Sequence, residues 1–123
     1  MTGIVLKWSL TLLALRLILA STSGSAQQTT HVLTVPVDQS VPASLTHMRT
    51  VLTALQATVD IEATVGFIIA TFGSQRRTVT VQSDGIARDP TTGQSTKLNV
   101  ICIDDEGGAE ALCREIRRRY ENQ

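Results

Sequence analysis

Aromatic residues are scarce in this sequence, with two Phe, one Trp and one Tyr among 123 residues. Surfaces that hold single-stranded nucleic acid stack successive bases on aromatic side chains, and this chain has almost none to supply. The scarcity therefore argues against a stacking platform for nucleic acid or carbohydrate. It also predicts an aliphatic core, because the hydrophobic 42% of the chain is mainly Val, Ile, Leu and Ala.

Net charge is also lacking, since 11 basic residues balance 11 acidic ones. Lys7 and Arg16 precede the first acid, Asp38, so the rest of the chain is slightly acidic. Such a balance leaves no basic surface of the kind that attracts nucleic acid or an anionic membrane. We therefore expect no nucleic-acid partner, and the length allows one small domain.

The first 26 residues have the pattern of a secretory signal peptide. Lys7 precedes an apolar run, residues 8–20, and a short stretch of small residues follows it. Gly24 and Ala26 suit the small pockets of a signal peptidase, so we expect cleavage before Gln27. The sequence thus predicts a secreted or periplasmic domain of residues 27–123.

Arg16 leaves two alternatives open, because a guanidinium inside the apolar run costs about 2.5–3.5 kcal/mol at the centre of a membrane. Residues 4–20 could instead anchor the protein, although a spanning helix needs about 20 apolar residues. An organelle transit peptide would share the lack of acids but usually carries more arginine.

A first strand and a long helix are predicted for the beginning of the domain. Residues 31–37 alternate weakly, and Pro36 restricts such a strand to a sheet edge because proline cannot donate a ladder hydrogen bond. Residues 40–59 are typical of a helix, because apolar residues recur at steps of three and four along one face: Leu45, Met48, Leu52, Leu55 and Val59.

Three further strands and a final helix complete the predicted fold. Residues 63–73 and 96–104 are apolar on both faces, as central strands are, whereas residues 76–83 alternate. A loop rich in turn residues, Ser83 to Ser95, separates the last two strands, and residues 109–120 form the helix. The order (β)-α-β-β-β-α predicts a two-layer α+β sandwich, an antiparallel meander with two helices on one face.

Cys102 and Cys113 are the only cysteines, and they are predicted to form a disulfide. Cys102 shares a strand face with Leu98 and Val100, and Cys113 lies on the apolar side of the final helix. If that helix folds back over its strand, the two sulfurs meet, and an exported protein would oxidise them. The alternative is a pair of buried free thiols in a reducing compartment.

The acids between the cysteines favour a helix cap over a metal site. Asp104, Asp105 and Glu106 are consecutive, so their side chains diverge, whereas calcium loops use alternating positions. Acids stabilise the positive end of a helix, and Asp105 or Gly107 could supply the cap. His31 and His47 add no recognised zinc spacing. We expect neither a metal nor a cofactor.

The favoured function is binding of a protein partner or a second copy, because no nucleophile motif frames any serine. Helices on one face of the sheet would leave apolar side chains of the central strands partly exposed on the other. The candidate interaction residues are Phe67, Ile69, Phe72, Ile101 and Ile103. The segment 31–37 could alternatively cover that face.

Two other functions remain as alternatives. A small secreted hydrolase would place its site in the 83–95 loop, with Asp84 or Asp89 near a histidine. A nucleic-acid-binding module is suggested by the αβββα order, which double-stranded-RNA-binding domains share. That fold places lysines at the start of its second helix, where this sequence has acids, so the alternative is disfavoured.

Overall fold

The computed structural model describes residues 27–63, 66–73 and 76–122, and only the backbone of residues 61–63. The elements, in chain order, are β1 (Thr29–Pro36), α1 (Val41–Ala54), β2 (Thr58–Ala63), β3 (Phe67–Phe72), β4 (Arg77–Ser83), β5 (Lys97–Asp104) and α2 (Ala109–Glu121). The predicted signal peptide, or membrane anchor, lies outside the described residues. No helix within the described ranges is long and apolar enough to span a membrane.

The five strands form one antiparallel sheet in the order β1-β5-β4-β3-β2. The predicted α+β class is therefore confirmed, and the first strand lies at an edge of the sheet as Pro36 requires. β1 and β5 are distant in sequence and adjacent in space. β1 extends the sheet sideways, so it does not cover the face that the helices leave open.

The sheet has one strand more than predicted, because the first helix ends earlier than its apolar stripe suggests. α1 stops at Ala54, and the chain turns through Gln56, whose φ is +69°. Val59 fits the helical stripe by spacing, but it lies in β2 and packs against the core. Thr58 and Val59 are β-branched and favour a strand, so two short strands replace the single one predicted for residues 63–73.

The core lies between the two helices and one face of the sheet. α1 packs on β2 and β3, whereas α2 packs on β1 and β5. Ser40 caps α1 by accepting a hydrogen bond from the backbone N–H of Ala43. The fully buried side chains include Met48, Leu52, Ile68, Val79, Val81, Leu98, Val100, Cys102, Cys113 and Ile116.

Candidate interaction surface

The predicted disulfide is present and joins β5 to α2. Cys102 and Cys113 are both fully buried, and their Cα atoms are 5.8 Å apart. Each cysteine occupies the face predicted for it, next to Val100 on the strand and Ile116 on the helix. The bond therefore holds the last helix over the strand that precedes it.

Asp104 is the acid that organises the start of α2, in place of the predicted Asp105 or Gly107. Its buried carboxylate accepts hydrogen bonds from the backbone N–H groups of Glu106, at 2.8 Å, and Gly108, at 3.1 Å. Arg77 on β4 pairs with the same carboxylate, with 3.0 Å between Nε and Oδ2. Asp104 follows Cys102 by two residues, so strand alternation directs it to the covered face.

Gly108 allows this arrangement because it has no side chain. A Cβ atom at that position would lie 2.6 Å from Oδ2 of Asp104, which is closer than any ordinary contact. No group of three or more His, Cys, Asp or Glu side chains within the described ranges is arranged to hold a metal ion. The acidic stretch between the cysteines thus forms an intramolecular network around the beginning of α2.

The two histidines lie on β1 and α1, outside the 83–95 loop. His47 on α1 stacks on Tyr120 of α2, with ring centroids 4.6 Å apart. The Tyr120 hydroxyl donates to the carbonyl oxygen of Pro36 at 2.8 Å, which ties both helices to β1. His31 lies within β1 itself.

The carboxylates of the 83–95 loop are occupied by the loop's own backbone. Asp84 accepts from the N–H of Ile86 at 2.8 Å, and Asp89 accepts from the N–H of Thr91 at 2.7 Å. These are turn-forming contacts, and they hold the acids in the loop. A cavity of about 490 Å³ lies between this loop and the start of α1, but neither histidine is among its lining residues.

The arginines near the carboxyl terminus pair with acids on their own helix. Arg118 and Arg119 both bond to Glu115, at 2.7 and 2.9 Å, and Arg114 pairs with Glu110. Hydrogen bonds from Arg118, and then from Arg119, lower the pKa of Glu115 to about 2. The same contact with Glu115 raises the pKa of Arg118. These pairs neutralise much of the positive charge on which a nucleic-acid interface would depend.

Four of the five predicted interaction residues lie on the face of the sheet opposite the helices. Phe67 and Ile69 on β3, and Ile101 and Ile103 on β5, are half-buried there. Phe72 was wrongly assigned to this set. It alternates with Ile68 and Ala70, so it belongs to the covered face and packs against the core.

The strand register arranges this open face as three rows of side chains. The rows run from β1 to β3 and contain Val32, Ile101, Thr80 and Ile69 in the middle, Thr30, Ile103, Thr78 and Thr71 on one side, and Thr34, Asn99, Gln82 and Phe67 on the other. None of these residues is charged. The middle row is mainly apolar, and the rows beside it are mainly threonines and amides. These three rows carry no charge, and Lys97 lies beyond the third row at the end of β5.

Val32 belongs to the open face and was missed by sequence reasoning. It is 56% exposed, and the only other exposed large hydrophobic residue within the described ranges is Ile86, in the loop. The signal was present, because Val32 alternates with Leu33 and Val35, which are buried. Val32 thus extends the apolar middle row to the edge of the sheet.

These features define a small α+β domain with an internal disulfide and one sheet face that neither described helix covers and whose three rows, described above, carry no charge. No protein-family model matches the chain, and no curated protein or solved structure is significantly similar to it.

Proposed function

We propose that this chain is an exported, non-catalytic domain that binds another polypeptide through the open face of its sheet. The open face carries this proposal. The two described helices lie on the opposite side, so neither of them covers Phe67, Ile69, Ile101 or Val32, which are half-buried or exposed. Burial of such a patch against a partner removes apolar surface from water, and patches of this kind mark interaction sites.

The absence of charge from the three rows favours a protein partner over a highly charged ligand. The centres of protein interfaces are depleted of charged residues, whereas nucleic-acid interfaces are strongly basic. Thr80 on β4 separates Ile101 from Ile69, and Thr78 lies beside Ile103. Their hydroxyl groups could hydrogen-bond to a polypeptide that lies across the strands. Both aspects suit a polypeptide surface of mixed apolar and polar character.

Export is supported by the pattern of residues 1–26 and by the disulfide, since disulfides persist in oxidising compartments. The intact mass of the native protein, with and without reduction and thiol alkylation, tests this part. We expect a mass that begins at Gln27, and thiols that alkylate only after reduction. A full-length mass with two free thiols would contradict export.

Binding is tested with a photo-reactive amino acid placed at one of two threonines. Thr80 lies in the middle row of the open face, whereas Thr53 is exposed on α1, on the opposite side of the domain. In cells that produce the protein, we expect position 80 to cross-link to a discrete polypeptide and position 53 not to. Equal cross-linking at both positions, or none at position 80, would contradict binding through the open face.

A further inference from the structure

We propose that the partner at one side of this surface is a second copy of the chain, joined by antiparallel pairing of the two β1 strands with Val32 opposite Val32. This inference rests on the proposed function, because it names the polypeptide that meets the edge of the open face.

The backbone of β1 provides the hydrogen-bonding groups for this pairing. The N–H of Val37 donates to the carbonyl oxygen of Thr96 at 2.9 Å, so Val37 belongs to the set of residues bonded to β5. In an antiparallel ladder such residues alternate with residues whose N–H and C=O groups point away from the neighbouring strand. The outward residues of β1 are therefore Thr30, Val32 and Thr34, followed by Pro36.

The outward side of β1 is unpaired, since β5 is the only strand bonded to β1 in the described part of the chain. Pro36 ends this row of outward groups, because it has no N–H and its carbonyl already accepts the Tyr120 hydroxyl. The hydrogen bond from Tyr120 shows that the carbonyl of Pro36 is not bonded to β5, as expected if outward residues alternate with residues such as Val37. Thr30, Val32 and Thr34 are therefore the residues of β1 available for pairing, and each offers one outward backbone N–H and one outward C=O.

Those groups select one register for pairing with a second β1. With Val32 opposite Val32, Thr30 lies opposite Thr34 of the other copy, and every outward donor in the strand meets an acceptor. A shift of two residues in one direction would place Thr30 opposite Pro36, which cannot donate. A shift in the other direction would pair Thr34 with Gln28, which lies outside the strand.

The side chains and charge of β1 suit the same arrangement. β1 contains no Asp, Glu, Lys or Arg, so two copies bring no like charges together, and Val32 loses its exposure at the junction. The other edge of the sheet differs. β2 includes Asp60 and Glu62, and a register shift interrupts its pairing around Asp60. Charges, bulges and prolines are the usual protection of an edge strand, and β1 has only Pro36, at its end.

Sedimentation equilibrium of residues 27–123, with the disulfide intact, tests the association. One pair of strands with three pairs of opposed residues covers less than the roughly 800 Å² per partner of a standard interface, so we expect a weak dimer at about 0.01–1 mM protein. Val32→Glu places two carboxylates at the centre of the pair, and Thr34→Pro removes a donor without touching the ladder to β5. Each should raise the Kd at least about tenfold, because cross-strand like charges and lost donors both oppose pairing.

Ile69→Glu is the matched control, because Ile69 lies in the same row as Val32 but on β3, away from the edge. We expect its Kd to stay within about twofold of the unmodified chain, with circular dichroism confirming that each variant is folded. A strict monomer at about 1 mM would overturn the inference and leave the cross-linking from position 80 to decide the proposed function. A dimer that Ile69→Glu disrupts and Val32→Glu does not would overturn the inference while supporting the proposed function.

Disulfide cross-linking of variants with one added cysteine in β1 tests the register of the strand pair. Directly opposite residues in a hydrogen-bonded pair have Cα atoms about 5.5 Å apart, within the span of a disulfide. Under mild oxidation Val32→Cys should cross-link to itself, and Thr30→Cys should cross-link only when mixed with Thr34→Cys. The native cysteines are buried and bonded to each other, so they do not compete. Efficient self-cross-linking of Thr30→Cys would contradict the Val32-centred register.

Discussion

On the covered face of the sheet Val79, Val81 and Val100 are fully buried, whereas their sequence neighbours Thr80 and Ile101 on the open face are only half-buried. The covered face is aliphatic except near Asp104. The open face mixes isoleucine, threonine and amides, and its three rows contain no charge. A solvated sheet face usually carries polar residues, so the isoleucines and Val32 are the exceptional side chains of the open face. The same strands therefore bury an aliphatic layer on one side and leave a mixed apolar and polar set partly exposed on the other.

The two faces should consequently respond differently to substitution. Changes on the covered face should lower the free energy of unfolding, because they disturb packing or buried hydrogen bonds. Changes on the open face should alter that free energy less, and their main effect should be on binding to another polypeptide, with dimerisation sensitive only at the β1 edge. The following predictions test this division, beginning with the largest expected effect.

Asp104→Ala should be the most destabilising single change at the covered face. It leaves the amides of Glu106 and Gly108 without their acceptor and removes the partner of Arg77. We expect a loss of about 3 kcal/mol in the free energy of unfolding, since bonds to a buried charge are expensive to break. Urea denaturation measures the loss, and Asp105→Ala is the control, with an expected change within about 0.5 kcal/mol. Equal losses would show that Asp104 has no special role.

Reduction of the disulfide should have the next largest effect. Cys102 and Cys113 close a loop with a sequence separation of 11. Opening it should lower the free energy of unfolding by about 2–3 kcal/mol, because the unfolded chain regains conformational freedom. Urea denaturation with and without reductant measures the difference. The double variant Cys102→Ala, Cys113→Ala should be insensitive to reductant, and an unchanged midpoint for the native chain would contradict a stabilising bond.

Val100→Thr and Ile101→Thr compare adjacent positions on opposite faces. Val100 is fully buried, so a hydroxyl there loses its water partners and should cost about 1–3 kcal/mol. Ile101→Thr places on the half-buried open face the same residue type as its cross-strand neighbour Thr80. It should therefore lower the free energy of unfolding by less than about 1 kcal/mol. Thermal or urea unfolding of both variants gives the comparison. A reversed order would mean that the open face also supports the fold.

The acid–arginine network on α2 should have the smallest effect and a characteristic pH dependence. The pKa of Glu115 is lowered from 4.5 to about 2 in the folded chain, chiefly by hydrogen bonds from Arg118. Its contribution to stability is thus present above pH 4.5 and is lost as the pH falls towards 2. The stability difference between the native chain and Glu115→Gln should shrink over that interval and with added salt. A difference independent of pH would contradict the assigned contacts.

Periodicity predicted the α+β class and the covered face of β5, but it misplaced the boundary between α1 and β2. Val59 is apolar at a spacing that suits the helix, and it is equally suitable for the strand it occupies. The local hydrophobic pattern cannot distinguish a helix from a strand at a residue whose side chain would face the core in either one. The positive φ at Gln56, which ends the helical turn, has no signal in the residue type.

The candidate surface was only partly predictable for a similar reason. β3 is apolar on both faces, so its sequence does not show which of its two alternating sets of side chains the helices cover. Phe72 was therefore assigned to the open face, although it packs against the core. By contrast, alternation from Leu98 through Cys102 places Asp104 on the covered face, and this signal was available. The exposure of Val32 at an edge depends on the pairing of β1 with β5, which are far apart in the sequence.

Amide hydrogen exchange at two protein concentrations tests most directly whether the chain meets another polypeptide at the edge of the open face. In the dilute protein, the N–H groups of Thr30, Val32 and Thr34 should exchange quickly, whereas those of Leu33 and Val35, which face β5, should be protected. Near 1 mM, the three outward amides should become protected and the other two should not change. Equally rapid exchange of the outward amides at both concentrations would contradict the pairing of two β1 strands.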